Sequence, residues 1–321
     1  PLNGLMDSAG EIALCTLGGI NWGKIREPKD FEKPCRIMVR LLNALLDYQD
    51  YPVPAARTST IKHRPLGVGI INFAYWLAKN DLTYDDPEAL ELVDEYAEAW
   101  SYYLIKASAD LAVEESTAEK GMVTSKYDDG EFAFDRRKKD VDELVKHQLR
   151  MPWGDLRESL IQFGIMNNTL MAQFPAETSA QVSNSTSGVD KPKSMITVKQ
   201  SKDGILKQVV PEIRRMKNKY DYQWDADSPK GYLRIMAVLQ KWFDQGISVN
   251  TSYDPSNYPD NKIPMSELMT DMLEFYKYGG KQLYYFNTND GAGEIDVVSP
   301  GVSIKEPDMG IDDEDCDSCK L

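Results

Sequence analysis

The sequence predicts an α/β fold in which parallel strands are buried between helices. Short apolar runs suited to buried strands alternate with longer stretches of helical periodicity, and about five such strands can be counted. Hydrophobic residues make up 42% of 321, enough for a substantial core. Neither an internal repeat nor a compositional break interrupts the alternation until the acidic C-terminal stretch.

The first expected strand is IALCTL at 12–17, with Cys15 inside it and Gly18 and Gly19 as punctuation after it. Over 34–48, Ile37, Met38, Leu41, Leu42, Leu45 and Leu46 recur at helical spacing, and the two prolines of YPVPAAR then stop the helix. RPLGVGIINFAYWLAKN reads as a strand at 66–72 running into a helix. A long helix follows over 87–115, with Leu90, Val93, Tyr96, Trp100, Leu104, Ala107 and Leu111 on one face. The charged stretch 126–143 reads as a surface excursion.

WGDLRESLIQFG is helical, and TLMAQF is a strand ending at Pro175. SMITVKQSKDGILKQVVP alternates as a β-hairpin around a Lys-Asp-Gly turn. YLRIMAVLQKWFDQ is an amphipathic helix, ISVNTSY a strand, MSELMTDMLEFYKY a helix over 265–278, and KQLYYFN the last strand. Beyond Asn287 the Gly, Asp, Glu and Ser content is that of a mobile tail. The expected division is a folded part at 1–290 and a flexible acidic tail at 291–321.

A net charge of −14 opposes broad binding to nucleic acid or anionic membranes, because neutralising phosphates requires clustered Lys and Arg. No apolar run approaches the ~18 to 20 residues of a membrane span, and the N-terminal residues lack a signal-peptide pattern. A cytoplasmic location is expected. The opening PLNGLMDSAGEIALCTL enters a strand almost at once and reads as the middle of a fold.

Four cysteines in a chain of this length do not make a disulfide framework, so the CDSC pair Cys316 and Cys319 stands out. It reads as a redox dithiol, as half of a zinc site or as an incidental pair. His63 and His147 lie far away without ligand spacing, which favours the redox reading over zinc. The acidic neighbours Asp312, Asp313, Glu314, Asp315 and Asp317 disfavour the thiolate. As coil, the roughly 25 residues leading to the pair would span ~25 to 30 Å, enough to travel.

Other candidates carry a plain structural reading beside a functional one. Cys15 is by default a small buried hydrophobe in a strand, and Cys35 the same at a helix start. Thr178 and Ser179 are an ordinary cap and turn, or phosphate donors at a helix start. Tyr284 and Tyr285 are strand aromatics, one facing in and one out, or a relay for an electron and a proton. Met265, Leu268, Met269, Met272, Leu273 and Tyr276 form a helix stripe that either packs in the core or walls a partner groove.

Taken together, GEIALCTL, LLDYQDYPVPAA, LGVGIINFAYWLAK, PAETSAQVSNSTSG, SKDGILKQVVP, NTSYDPSNYP, KQLYYFNT and the terminal CDSC closely resemble, in family order, the large (α) subunit of class Ia ribonucleoside-diphosphate reductases. The resemblance covers nearly the whole chain and implies the second five-stranded half of a ten-stranded α/β barrel. By resemblance, Cys15 looks like one of two active-site thiols that reduce the substrate and become a disulfide. Tyr284 and Tyr285 look like the pair that passes a radical from the small (β) subunit towards the active site. Ala176, Glu177, Thr178, Ser179 and Ala180 look like the loop that holds the substrate diphosphate.

Cys316 and Cys319 look like the tail dithiol that re-reduces the active site and is itself reduced by thioredoxin or glutaredoxin. The helix from Met265 to about Tyr278 is similar to the docking helix for the β subunit's C-terminal peptide. The resemblance implies no cofactor or metal bound directly by this chain; the radical comes from the dimetal-tyrosyl cofactor of the β subunit.

Two departures stand out. Ala176 and Ala180 occupy positions where related enzymes often have Ser, and no cysteine here fits the Asn-x-Cys-x-Glu pattern of the radical-bearing loop. The expected enzyme therefore needs an N-terminal half that supplies the radical cysteine and the second reducing thiol. The rival expectation is a non-catalytic fragment that only binds the β subunit or a redoxin.

Overall fold

The structure is a computed structural model that describes residues 10–115, 125–201 and 204–289. The chain divides into two units, Pro1–Asn289 and Asp290–Leu321. The expected tail, with Cys316 and Cys319, lies outside the described residues.

In chain order the elements are β1 (Thr16–Asn21), α1 (Glu32–Tyr48), α2 (Pro54–His63), β2 (Leu66–Ile71), α3 (Phe73–Lys79), α4 (Pro87–Glu114), α5 (Trp153–Phe163), α6 (Glu177–Val182), β3 (Ile196–Ser201), β4 (Gly204–Val209), α7 (Ile213–Met216), α8 (Lys230–Gln240), β5 (Val249–Tyr253), α9 (Met265–Lys277) and β6 (Leu283–Thr288). β1 pairs with β2 and β5 with β6, both in parallel, while β3 and β4 form the expected antiparallel hairpin. The alternation of parallel strands and helices is that of an α/β fold.

Residues 169–174 join the two parallel pairs through single parallel bridges, Val68 to Met171 and Gln173 to Ile247. Four parallel strands and one bridged segment thus follow one another in chain order. The middle one is not a regular ladder strand, because side chains occupy ladder positions on both sides of it. The Gln173 carboxamide accepts from the Ile70 N–H at 2.8 Å and donates to the Ile70 carbonyl at 3.1 Å. On the other side, the Asp244 carboxylate accepts the Leu170 and Met171 N–H groups at 2.7 and 2.9 Å. Buried backbone groups must be paired, and here two polar side chains satisfy them without backbone partners.

The core lies where α1, α4 and α8 cover the strands, and Trp22, Trp76, Trp100 and Trp242 are fully buried in it. Deep inside, Lys241 Nζ contacts Asp94 at 2.8 Å, and Trp242 Nε1 donates to the same Asp94 oxygen at 2.8 Å. Arg150 bridges Asp94 and Glu98 at 3.2 and 3.1 Å. These three buried charges, Asp94, Glu98 and Lys241, therefore each have a charged partner, as burial of ions requires.

Several expectations are corrected. The first strand starts at Thr16, not at residue 12, and includes Gly18 and Gly19. Gly18 is a close-approach position rather than punctuation: a Cβ there would lie 2.5 Å from Met38 Sδ and 3.1 Å from Leu42 on α1. Pro54 does not only end a helix; it opens α2, since proline at the first helical position loses no intrahelical bond. α8 stops at Gln240, short of residue 245, because Trp242 and Phe243 turn into the core and Asp244 leaves to hold residues 170 and 171.

The charged stretch 126–143 is no loose excursion. It forms three 3-10 turns that bury Tyr127, Phe134 and Val141, with Phe132 also buried beside them. The Phe134 ring sits 4.8 Å from Trp153 and 5.2 Å from Trp242, so aromatic anchors hold a segment whose charges face water. α1 is also two-faced: Cys35, Val39, Leu42, Asn43 and Leu46 are buried, whereas Ile37, Leu41 and Leu45 are exposed. Among the described residues no helix is long and apolar enough to cross a membrane.

Candidate active site

A cleft of about 420 Å³ lies against β5 and β6 and the segments that follow residue 174. Glu177 borders it on one side, hairpin residues such as Gln208 on another, and Asn250, Ser252, Tyr285 and Asn287 contribute from β5 and β6. Of the residues singled out from sequence, Glu177 and Tyr285 meet in this cleft; Cys15 does not line it.

The tyrosines are not one in and one out. Val249 pairs with Leu283 and Thr251 with Phe286, with a register shift between. Asn250 alone therefore opposes both Tyr284 and Tyr285, a β-bulge, and the extra residue breaks the period-2 alternation that the expectation relied on. Both phenols are exposed, and their rings lie 4.2 Å apart at 56°. Hydrogen bonding to Tyr284, reinforced by its charge when ionised, raises the Tyr285 phenol above its ordinary range.

The bulge is tied down by side chains that nothing in the sequence periodicity marks. Asn250 Oδ1 accepts the Tyr285 N–H at 3.2 Å, while Asn250 Nδ2 donates to Asp190 at 3.0 Å. The Tyr232 hydroxyl donates to the other Asp190 oxygen at 2.7 Å. Burial raises the Asp190 carboxyl above its usual range, and these two donors partly offset that.

Cys15 is exposed and immediately precedes β1, which corrects the expectation of a buried strand cysteine. β1 pairs with β2 from Thr16 onward, one residue after it. Its Sγ rests over Gly67, where a Cβ would approach to 2.5 Å, so β2 leaves room for the sulfur. Gln245 Nε2 donates to the Leu66 carbonyl at 2.8 Å, which fixes the carboxamide and turns its Oε1 to the thiol at 4.0 Å. Desolvation by the surrounding protein, and secondarily the Asp244 charge, pushes the Cys15 thiol up to about 11. Both causes oppose the thiolate, so the sulfur holds its proton at neutral pH. The rate of Cys15 alkylation by iodoacetamide, followed by mass spectrometry of its peptide, should rise with a midpoint near 11 rather than at the ordinary 9.0. A midpoint at or below 9 would contradict this environment.

Ala176 caps α6 and is buried, as is Ala180, whereas Glu177, Thr178 and Ser179 are exposed. The two alanines thus serve packing, and the outward polar groups are those of the three residues between them. Helix first-turn N–H groups have no intrahelical acceptor, which leaves those of Thr178 and Ser179 for other partners. The loop after α6 is held by an asparagine chain. Asn72, in left-handed backbone at φ 65°, accepts the Thr186 N–H at 2.9 Å and donates to Asn21 at 3.0 Å, and Asn21 donates to Ser185 at 3.1 Å.

α9 decides between two readings of its stripe. Asp271 and Phe275 face inward, while Met265, Met269, Met272, Leu273 and Tyr276 are exposed, so the apolar stripe is not core packing. Among the described residues no group of three or more His, Cys, Asp or Glu side chains converges as a metal ion would require.

Parallel strands that carry an exposed thiol at one end of the run and a bulged phenol pair at the other define an α/β domain with redox-capable groups mounted on its sheet. The family profile described as ribonucleotide reductase, barrel domain, matches residues 5–286, and the chain belongs to that family. Among its relatives, the ribonucleoside-diphosphate reductase subunit alpha of Haemophilus influenzae is 48% identical over 92% of this chain and 39% of its own length. Ribonucleoside-diphosphate reductase 1 subunit alpha of Escherichia coli is 44% identical over 86% of this chain and 35% of its own length. The subunit alpha of Enterobacteria phage T4 is 40% identical over 100% of this chain and 41% of its own length. The chain thus spans about two fifths of the length of the curated relatives it matches.

Proposed function

We propose that the chain is the C-terminal portion of a class Ia ribonucleotide reductase large subunit and reduces ribonucleoside diphosphates once joined to the remaining, N-terminal portion. The observation that carries this reading is the exposed tyrosine pair with rings 4.2 Å apart, a geometry that strand alternation alone would not produce. In this reading the five extended segments are one half of a ten-stranded barrel. Among the described residues β1 pairs only with β2 and β6 only with β5, so both outer edges can accept the other half's strands.

The dimetal-tyrosyl cofactor of the β subunit would supply the radical, and Tyr284 and Tyr285 of this chain would pass it towards the active site. A thiyl radical on the N-terminal portion then takes the ribose 3′ hydrogen, which eases departure of the 2′-hydroxyl as water; after reduction at the 2′ carbon the same cysteine returns a hydrogen to the 3′ carbon, and its thiyl radical is restored. Cys15 and a second thiol supply two electrons and two protons and become a disulfide. A thiol held protonated at neutral pH, as Cys15 is, keeps the hydrogen that this step consumes. The partner sulfur must come within the short Cα separation of a disulfide, roughly 4.4 to 6.8 Å, which an exposed Cys15 permits. Cys316 and Cys319 then restore the dithiol and are reduced by thioredoxin or glutaredoxin.

The substrate diphosphate is received by Thr178, Ser179 and first-turn N–H groups, with Ala176 and Ala180 holding the turn from below; Glu177 supplies a hydrogen-bond acceptor at the cleft edge. Reconstitution with the N-terminal portion and a β subunit, assayed for deoxyribonucleoside diphosphate, tests the proposal. A stable complex without turnover under reducing conditions would show that the chain is only an interaction fragment.

The exposed α9 stripe is the docking face for the β subunit's C-terminal peptide. Leu273→Asp should weaken binding of that peptide at least about tenfold by placing a charge in an apolar contact. The melting temperature of the chain should stay nearly constant, because a surface substitution of this kind changes stability by only about 0.5 kcal/mol. Unchanged affinity in a titration would remove α9 from the interface.

A further inference from the structure

We propose that Asn250 is the positioning residue of the tyrosine pair, holding the β6 bulge open through its contact with the Tyr285 N–H and itself held by Asp190 and Tyr232. This rests on the reading of Tyr284 and Tyr285 as radical carriers, and it concerns what places them.

An extra residue in a strand leaves an N–H without its ladder acceptor, and an unpaired bulge can relax to regular pairing by slipping one residue. Such a slip would send one tyrosine to the opposite face and part the rings. Asn250 blocks the slip because it lies opposite the bulge and lends a side-chain oxygen to the Tyr285 N–H at 3.2 Å. Its amide is oriented by Asp190 at 3.0 Å, which leaves Oδ1, and not Nδ2, for the backbone donor. Asp190 is in turn fixed by the Tyr232 hydroxyl at 2.7 Å, and Tyr232 is buried on α8. The same hydroxyl receives the Asn250 N–H at 3.4 Å, closing a loop between α8, the segment after α6 and β5. The chain of contacts runs from the rigid core to a surface bulge, which gives two exposed phenols a fixed spacing.

The experiment uses the enzyme reconstituted from this chain, the N-terminal portion and the β subunit. Asn250→Ala should lower kcat roughly 10- to 100-fold, the scale of an ångström-sized misplacement of a reacting group. Hydrogen exchange in the β6 peptide of the same variant should speed up about tenfold at Tyr285, the effect of losing one hydrogen bond.

Asn250→Asp alone sets two carboxylates against each other and should be as impaired. Combining it with Asp190→Asn exchanges donor and acceptor across the pair and should restore most of kcat and the slow exchange, a rescue that loss of general stability would not give. Wild-type kcat in Asn250→Ala, with Tyr284→Phe and Tyr285→Phe inactive, would overturn the proposal while leaving the radical reading intact. Failure of the double exchange to recover above Asn250→Asp would also overturn it. Full activity in both Tyr→Phe variants would remove the radical role and the positioning role together.

Discussion

Cys15→Ser should abolish diphosphate reduction by the reconstituted enzyme with thioredoxin and with a small dithiol alike, a loss of about 10³-fold or more, as removal of an essential catalytic group gives. The hydroxyl is nearly isosteric and can still face Gln245, so folding should be kept; what disappears is the sulfur that can enter a disulfide. The tail variants separate two jobs. Cys316→Ser or Cys319→Ser should block turnover driven by thioredoxin yet spare part of that driven by a small dithiol, which reaches the exposed Cys15 site directly. Equal loss with both reductants in the tail variants would sink the shuttle role, and residual turnover in Cys15→Ser would sink the role of Cys15.

Tyr284→Phe and Tyr285→Phe should each bring turnover to background, also about 10³-fold or more. Phenylalanine keeps the ring and its packing but has no O–H to lose, so neither an electron nor a proton can be passed at an accessible potential. Both rings are more than half exposed and donate no bond on which the core depends, so melting temperature and affinity for the β subunit should not change. Normal turnover in either variant would return that tyrosine to ordinary strand packing. Loss of β-subunit binding would instead mean that the pair serves as contact surface.

Much of the architecture was legible from residue patterns. The run at 66–71 is a strand buried at every residue and that at 249–253 a strand buried at alternate residues, and α4 forms over the expected length, although no residue from Leu92 to Ala112 is exposed, so it is buried nearly all round rather than along one stripe. Legibility failed where one residue type serves two physical purposes. Gly18 looked like a turn and is a contact point beneath Met38; Pro54 looked like a stop and is a helix start. The charges of 126–143 masked Tyr127, Phe132 and Phe134, which anchor that segment in the core.

The site divides in the same way. Cys15, Tyr284, Tyr285 and the turn of Ala176 to Ala180 could be singled out because each stands in a short motif within a series that resembles one family. Their supports could not: Gln245 is 230 residues from Cys15, and Asp190 is 60 from Asn250. No local period links such positions.

The sequence by itself determined the family and the parallel α/β pattern, and it singled out the residues proposed for redox chemistry, because periodicity and ordered motifs are properties of the chain read in one dimension. Only the tertiary structure decided that Cys15 is exposed and held protonated, that the α9 stripe faces outward, and that two successive tyrosines share one face. Each of these depends on which distant groups come within a few ångströms, on desolvation around a sulfur, or on one asparagine opposite a bulge.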